Sequence, residues 1–317
     1  MVQRRTVLGA ATAATAATFF GNASADATDR TKGETAVFRM RSRILGADVP
    51  YSLYTPPGYR RGGVRTYPIL YLLHGLTGDH AEWVRLGRVR EIVDAAIAAR
   101  RLPPTLVVMP DARRDTTRSS TDQFVTYYMD DADGTFRYAA MFLDEFIPYV
   151  ENAHGAGGAA ARRGICGQSM GGFGALSFAL RRPGLFAAAF GFSVGHRTAE
   201  EMMALPVDEY NWRFARAWGA DLRGRARLAN PLYRQWNLLD TITRSSTADM
   251  SRTAWFLDCG SYDQFFLGNV ELHTALTRKS VPHHFIAREG AHEWSYWTSG
   301  LPAALDFMAT SWNGRAQ

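Results

Sequence analysis

Short apolar runs alternate along this chain with stretches whose apolar residues recur every three or four positions. Ala36–Arg43 and Val49–Tyr54 read as the strands of an opening hairpin, and Pro56-Pro57-Gly58 breaks the pattern after them. Ile69–Leu73 is a continuous apolar run that stops at His74-Gly75, as expected of a strand buried on both faces. Val89, Ile92, Val93, Ala96 and Ile97 keep the spacing of an amphipathic helix. Thr105–Met109 is a second buried-strand candidate, closed by Pro110-Asp111. Phe142, Phe146 and Val150 line one helical stripe with Leu143 and Ile147 beside it, and Pro148 should bend or shorten that helix. A strand through Arg163-Gly164-Ile165-Cys166 leads to a turn at Ser169 and a helix from about Gly172 to Arg181. Ala187–Ser193, Trp255–Asp258 and His284–Ala287 read as further strands, with helices over Val270–Lys279 and Pro302–Trp312.

Strands that alternate with helices imply a mostly parallel central sheet with helices on both faces. One region departs from this. His196–Ser251 holds no clear strand and is rich in Trp, Arg and Leu. A helical and loop excursion at this point in the chain lies over the strand ends, as a cap on a site or as a plain surface insertion. The pattern thus predicts a single α/β domain over residues 36–317, with a cap-like excursion at about 196–251.

The N-terminus follows a different rule. Arg4-Arg5 give a basic start, Val7–Phe20 is a run of small and apolar residues, and Ala23-Ser24-Ala25 offers the small residues a signal peptidase accepts. Residues 1–25 therefore read as an export signal of twin-arginine type, followed by a polar linker over 26–35. A secreted, periplasmic or cell-envelope location is expected. No other stretch is long and apolar enough to span a bilayer. Apolar residues make up 46% of the 317 and charged ones 21%, which is ordinary for a globular domain. The formal charge of +6 includes the two leader arginines. The remaining basic residues form no block of the kind that binds nucleic acid, so no nucleic-acid partner is expected.

The two cysteines, Cys166 and Cys259, fall on strands that should be separated by the Ala187–Ser193 strand. Two strand spacings come to roughly 9–10 Å, beyond disulfide reach. Two free, buried thiols are expected.

Gly167-Gln168-Ser169-Met170-Gly171 matches G-x-S-x-G between a strand and an apolar helix. That context puts the serine on a sharp turn, where small flanking residues let backbone approach backbone. A serine hydroxyl needs a base, and the base needs an orienting acid, in the chain order Ser, Asp/Glu, His. His292 follows the last strand in a turn-like segment and is the base candidate. His283 and His284 lie at the wrong end of that strand, His273 falls on a helix, and His196 comes too early. Asp258 and Asp263 compete as the acid. Asp263 is favoured because it lies in the loop beyond the carboxyl end of its strand; Asp258 would otherwise be a buried structural carboxylate. The oxyanion donors should be the N–H groups of Met170 and Leu76, with His74 in a structural role in the loop.

These motifs resemble the α/β-hydrolase esterase family that includes esterase D, feruloyl and acetylxylan esterases, enterochelin esterases and the mycolyltransferases. The resemblance covers nearly the whole chain after the leader. It is carried by Tyr51-Ser52-Leu53-Tyr54-Thr55-Pro56 with Gly58-Tyr59, by Tyr67 through Leu76, by Val107-Val108-Met109-Pro110-Asp111 and by Gly167 through Gly172. It ends with Gly260-Ser261-Tyr262-Asp263 and Gly290-Ala291-His292-Glu293-Trp294 with Trp297. It implies the α/β-hydrolase fold, a triad of Ser169, Asp263 and His292, and oxyanion donors at Leu76 and Met170. Mycolyltransferases usually carry Asp where this chain has His74, and Glu as the acid. Enterochelin esterases have a large extra N-terminal domain, and esterase D proteins are generally intracellular. An exported serine carboxylic-ester hydrolase acting on small or polysaccharide-linked esters is the expectation. Acyl transfer to a sugar hydroxyl is the first alternative, and a non-catalytic binding protein on the same fold the second.

Weaker signals complete the reading. Asp130-Asp131-Ala132-Asp133-Gly134 lacks the alternation and closing Glu of a calcium loop and reads as a polar turn. His283 and His284, as strand neighbours, point to opposite faces and do not suit zinc with His292. No metal or cofactor is expected. Trp83, Trp294 and Trp297 lie near the site motifs, placed either to stack on a sugar or phenolic ring or simply to pack.

Overall fold

The expected alternation folds into one eight-stranded sheet in the order β1-β2-β4-β3-β5-β6-β7-β8. The structure, a computed structural model, describes residues 31–61, 66–116 and 126–315. The expected export signal and the first part of the linker lie outside the described residues. All described residues belong to one compact unit. No helix among them is long and apolar enough to cross a membrane.

The hairpin of β1 (Glu34–Arg41) and β2 (Asp48–Thr55) is antiparallel, and β2 runs antiparallel to β4 (Leu106–Pro110). From β4 onward every pairing is parallel, through β3 (Ile69–Leu73), β5 (Arg163–Gln168), β6 (Ala188–Phe192), β7 (Ala254–Gly260) and β8 (His283–Arg288). The continuous apolar runs explain the centre of this sheet. β3, β4 and β6 are buried at every position because helices cover both faces.

The helices α1 (Glu82–Arg85) and α2 (Val89–Ala98) follow β3. The stripe around Phe142 runs as α3 (Tyr138–Met141), a π-helical turn over Phe142–Phe146 and α4 (Ile147–His154). Pro148 accounts for the wide turn, since proline has no N–H and its ring crowds the carbonyl four residues earlier. α5 (Met170–Arg181) begins directly after Ser169, two residues before the expected start at Gly172. The excursion is six short helices without a strand: α6 (Ala199–Ala204), α7 (Val207–Trp218), α8 (Arg225–Ala229), α9 (Pro231–Trp236), α10 (Leu238–Arg244) and α11 (Thr247–Met250). Side chains of Thr198, Asn230, Asn237 and Ser246 cap four of them. α12 (Phe266–Arg278) separates β7 from β8.

The last helix, α13 (Trp294–Arg315), starts eight positions before the expected Pro302 and carries that proline inside it. Proline usually opens a helix, which is why the pattern suggested a start there. Here burial outweighs the lost bond: Trp297, Leu301, Leu305 and Met308 share one buried face against the sheet.

Cys166 pairs in register with Phe190, and Phe190 with Phe256, so β6 separates the two cysteine-bearing strands. Both cysteines are free and buried, and burial pushes both thiols up.

Candidate active site

The carboxyl ends of β3, β5, β6, β7 and β8 point to one edge of the sheet, and the loops beyond them carry the candidate residues. After β5 the chain turns so tightly that Ser169 adopts φ 54° and ψ −119°. A residue with a Cβ is strained there by about 1–3 kcal/mol. The conformation is held by three bonds: Ser169 N–H donates to the Phe192 carbonyl (2.9 Å), and its own carbonyl accepts from Gly195 (2.9 Å) and Phe173 (3.0 Å). The flanking glycines are required by space. A Cβ on Gly167 would overlap the Gly171 backbone, and one on Gly171 would overlap the Leu73 carbonyl.

His292 comes from the loop after β8. Its Nε2 lies 2.9 Å from Ser169 Oγ, and its Nδ1 lies 2.8 Å from Asp263 Oδ2. With the proton assigned to Nδ1, the ring donates to the carboxylate and accepts from the serine hydroxyl. The ring is gripped edge-on by Phe265 and Trp297, with centroids 5.2 and 4.9 Å away. Asp263 follows β7, and its Oδ1 accepts from the Phe265 N–H at 2.8 Å. Burial alone would raise this carboxyl. The hydrogen bond from His292, the His292 charge, the Phe265 N–H and the Ser193 hydroxyl outweigh it and hold Asp263 below its ordinary value. Ser193, at the end of β6, also accepts from Trp297 Nε1 at 2.9 Å.

Asp258, the competing acid, points elsewhere. It takes the Arg288 guanidinium at 3.0–3.2 Å and the Tyr296 hydroxyl. Arg288 and Tyr296 stand on either side of the loop that carries His292.

Met170 opens α5, where backbone N–H groups have no partner inside the helix. Leu76 lines the cleft beside Ser169. Its loop is anchored by His74, whose Nδ1 lies 2.8 Å from the Gly75 carbonyl while Nε2 accepts from Ala112 N–H at 2.9 Å. Burial lowers the His74 pKa, consistent with a neutral structural ring. The Tyr128 hydroxyl adds a bond to the His74 carbonyl.

The cleft over Ser169 has a volume of about 440 Å³. Of the three tryptophans, Trp294 and Trp297 line it. Trp83 is fully buried, donates Nε1 to the Leu73 carbonyl at 3.0 Å and supports Trp294 edge-on. Ligand contact at Trp83 is therefore corrected to packing. Sequence reasoning missed Glu82, Gln168, Arg213, Gln264 and Phe265 in the cleft wall. The excursion supplies one of these, Arg213 on α7, held by Glu209 at 2.8 Å.

His273, His283, His284 and the acids of the polar turn have structural partners. His283 bonds His273 at 2.8 Å, while His284 packs on Phe256 and Phe307 across the strand. His196 is buried, and burial pushes it down to about 4. Asp131 pairs with Arg114 and Asp133 bonds Thr135, so these two acids serve the polar turn itself.

A parallel-centred sheet with a strained serine elbow after β5 defines the α/β-hydrolase class. Residues 42–308 match the model of the family described as "Putative esterase", and the chain belongs to that family. It is similar to Esterase Rv1288 of Mycobacterium tuberculosis, with 26% identity over 272 residues. That match spans 80% of this chain but only 55% of the relative. Among solved structures, a ferulic acid esterase aligns with TM-score 0.73 and 26% identity, covering 89% of this chain and 99% of that one. The Staphylococcus aureus serine hydrolase FphF shares the fold with TM-score 0.71 at 21% identity, covering 88% of this chain and 99% of that one.

Proposed function

We propose that this protein is an exported serine esterase that hydrolyses carboxylic esters through an acyl-enzyme intermediate. The observation that carries the reading is the continuous relay from Ser169 Oγ to His292 Nε2 at 2.9 Å and from His292 Nδ1 to Asp263 at 2.8 Å, opening on one cleft. Ser169 Oγ attacks the ester carbonyl while His292 takes its proton. The N–H groups of Leu76 and Met170 receive the negative charge that develops on the carbonyl oxygen. His292 then protonates the leaving alkoxide. In the second half it takes a proton from water, which attacks the acyl-serine and frees the acid. Asp263 fixes the imidazole tautomer and balances its transient positive charge.

Export rests on the basic and apolar leader over residues 1–25. Membership of a family named for esterases supports the reaction class. The nature of the similar ferulic acid esterase points to an aryl or carbohydrate-linked ester as the first substrate to try.

Hydrolysis of p-nitrophenyl acetate by the native chain and Ser169→Ala tests the assignment. The substitution should lower kcat by at least about 10³-fold with KM little changed. Undiminished turnover in the variant would remove Ser169 as nucleophile. A product that appears only with an added sugar acceptor, at the expense of free acid, would move the reading to acyl transfer.

A further inference from the structure

The cleft wall holds a carboxyl that the Ser169–His292–Asp263 relay does not use. Glu82 and Trp83 are neighbours on α1, and successive helical residues point about 100° apart. Trp83 turns into the core, and Glu82 turns to the cleft. There the Glu82 carboxyl lies against the loop that presents Leu76. The Gly75 N–H draws on its negative charge, and a Cβ on Gly78 would overlap its Oε2. Oε2 itself is buried with no hydrogen-bond partner among the described residues. On the other side of Gly75 stands Gln168, which is 3% exposed and has a buried, unpartnered Oε1. Two orphaned acceptors thus flank one glycine, and each buried acceptor left unpaired costs about 1–3 kcal/mol.

Resting on the serine-esterase reading above, we infer that Glu82 is a positioning residue for the oxyanion loop, and that the proton on its carboxyl governs how well that loop stabilises negative charge. As a neutral acid, Glu82 brings an O–H donor to the part of the wall where its own Oε2 and Gln168 Oε1 both lack one. As a carboxylate, it places a full negative charge beside the N–H groups that must receive the oxyanion, and like charge opposes like.

The surroundings favour a proton that is exchanged near neutrality. Burial pushes Glu82 up to about 7 and Asp79 adds to the rise, against the opposing pull of Arg85 and the Gly75 N–H. Asp79 and Arg85 also pair with each other at 3.5 Å. Tyr128, whose hydroxyl bonds the His74 carbonyl behind this loop, feels the Glu82 charge. Arg213, His292 and Glu293 share the cleft with it.

The test is the pH dependence of kcat and KM for p-nitrophenyl acetate in the native chain and Glu82→Gln, with active sites counted by stoichiometric fluorophosphonate labelling. In the native chain kcat should fall as Glu82 ionises. Glu82→Gln should remove that fall, so the variant-to-native ratio of kcat grows about threefold or more between roughly pH 6 and 9. KM should not follow. A ratio that stays constant with pH overturns the proposal.

Thermal unfolding supplies a second readout. A carboxyl whose folded pKa is raised contributes stability below its unfolded pKa and loses it as pH rises through about 7. The melting temperature of Glu82→Gln relative to native should therefore rise between roughly pH 5 and 8. An unchanged difference overturns the proposal even if the variant is inactive. Failure of the parent reading looks different: the native chain would then take up no fluorophosphonate, and Ser169→Ala would keep its activity.

Discussion

At the scale of residues, the site depends on groups held where they would not rest alone. Ser169 keeps a positive φ because three backbone bonds and two glycines leave it no alternative. Asp263 stays ionised although it is buried, because His292, Phe265 and Ser193 all favour its charged form. Asp263→Asn preserves the shape but turns the imidazole toward the wrong tautomer. It should lower kcat by about 10³–10⁴-fold with little change in KM, measured on p-nitrophenyl acetate. The same carboxyl gives a pH signature. Its folded pKa is depressed, so it contributes stability above its unfolded value of about 4 and loses that contribution as pH falls through the lower folded value. That Ser169, His292 and Asp263 would meet was legible in the sequence, because each follows a strand end and the three fall in the order Ser, Asp, His. Glu82 was not. Whether its carboxyl is buried depends on Gly78 and on which way α1 turns, and neither leaves a trace in local pattern.

At the scale of elements, strands were legible because burial on both faces leaves continuous apolar runs, as in Ile69–Leu73. Helix starts were less so. Pro302 looked like a beginning and lies inside α13, because packing against the sheet decides that helix and not its punctuation. The start of α13 matters to the site, since Tyr296 and Trp297 lie on its first turn. Asp258 joins Arg288 at the end of β8 to Tyr296 on α13, and so fastens both sides of the loop that carries His292. Asp258→Ala would leave a cation and a hydroxyl without their shared acceptor. Loss of one member of a buried ion pair costs about 3–5 kcal/mol. Arg288 is 30% exposed at its side chain, so a loss nearer about 2–3 kcal/mol is expected in denaturant unfolding. Because the loop loosens, kcat should drop by more than KM rises. Unfolding that matches native, or a loss confined to KM, would show that the clamp does not hold His292.

At the scale of the whole molecule, the question is what reaches Ser169. The excursion was legible only as a region without strands: five of its six helices have seven residues or fewer and show no period, and α7, whose Tyr210, Phe214, Ala217 and Trp218 do keep one, was not singled out. Its contribution to the cleft, Arg213, is fixed by how α7 packs over the sheet edge. With that wall in place the cleft is mixed in character. Leu76, Phe265, Trp294 and Trp297 give apolar surface, while Thr77, Glu82, Gln168, Arg213, Gln264 and Glu293 interrupt it. Each acyl CH₂ gains about 0.8 kcal/mol when it leaves water for an apolar wall. That gain is lost where the chain must cover polar groups and strip them of water. Lengthening the acyl group should therefore help only while it stays on the aromatic side. Across p-nitrophenyl esters, kcat/KM should peak at acetate to butyrate and fall by about tenfold or more at octanoate. A rate that climbs steadily to octanoate would mean that the acyl chain leaves the cleft by an apolar route and does not meet Glu82, Gln168 and Arg213.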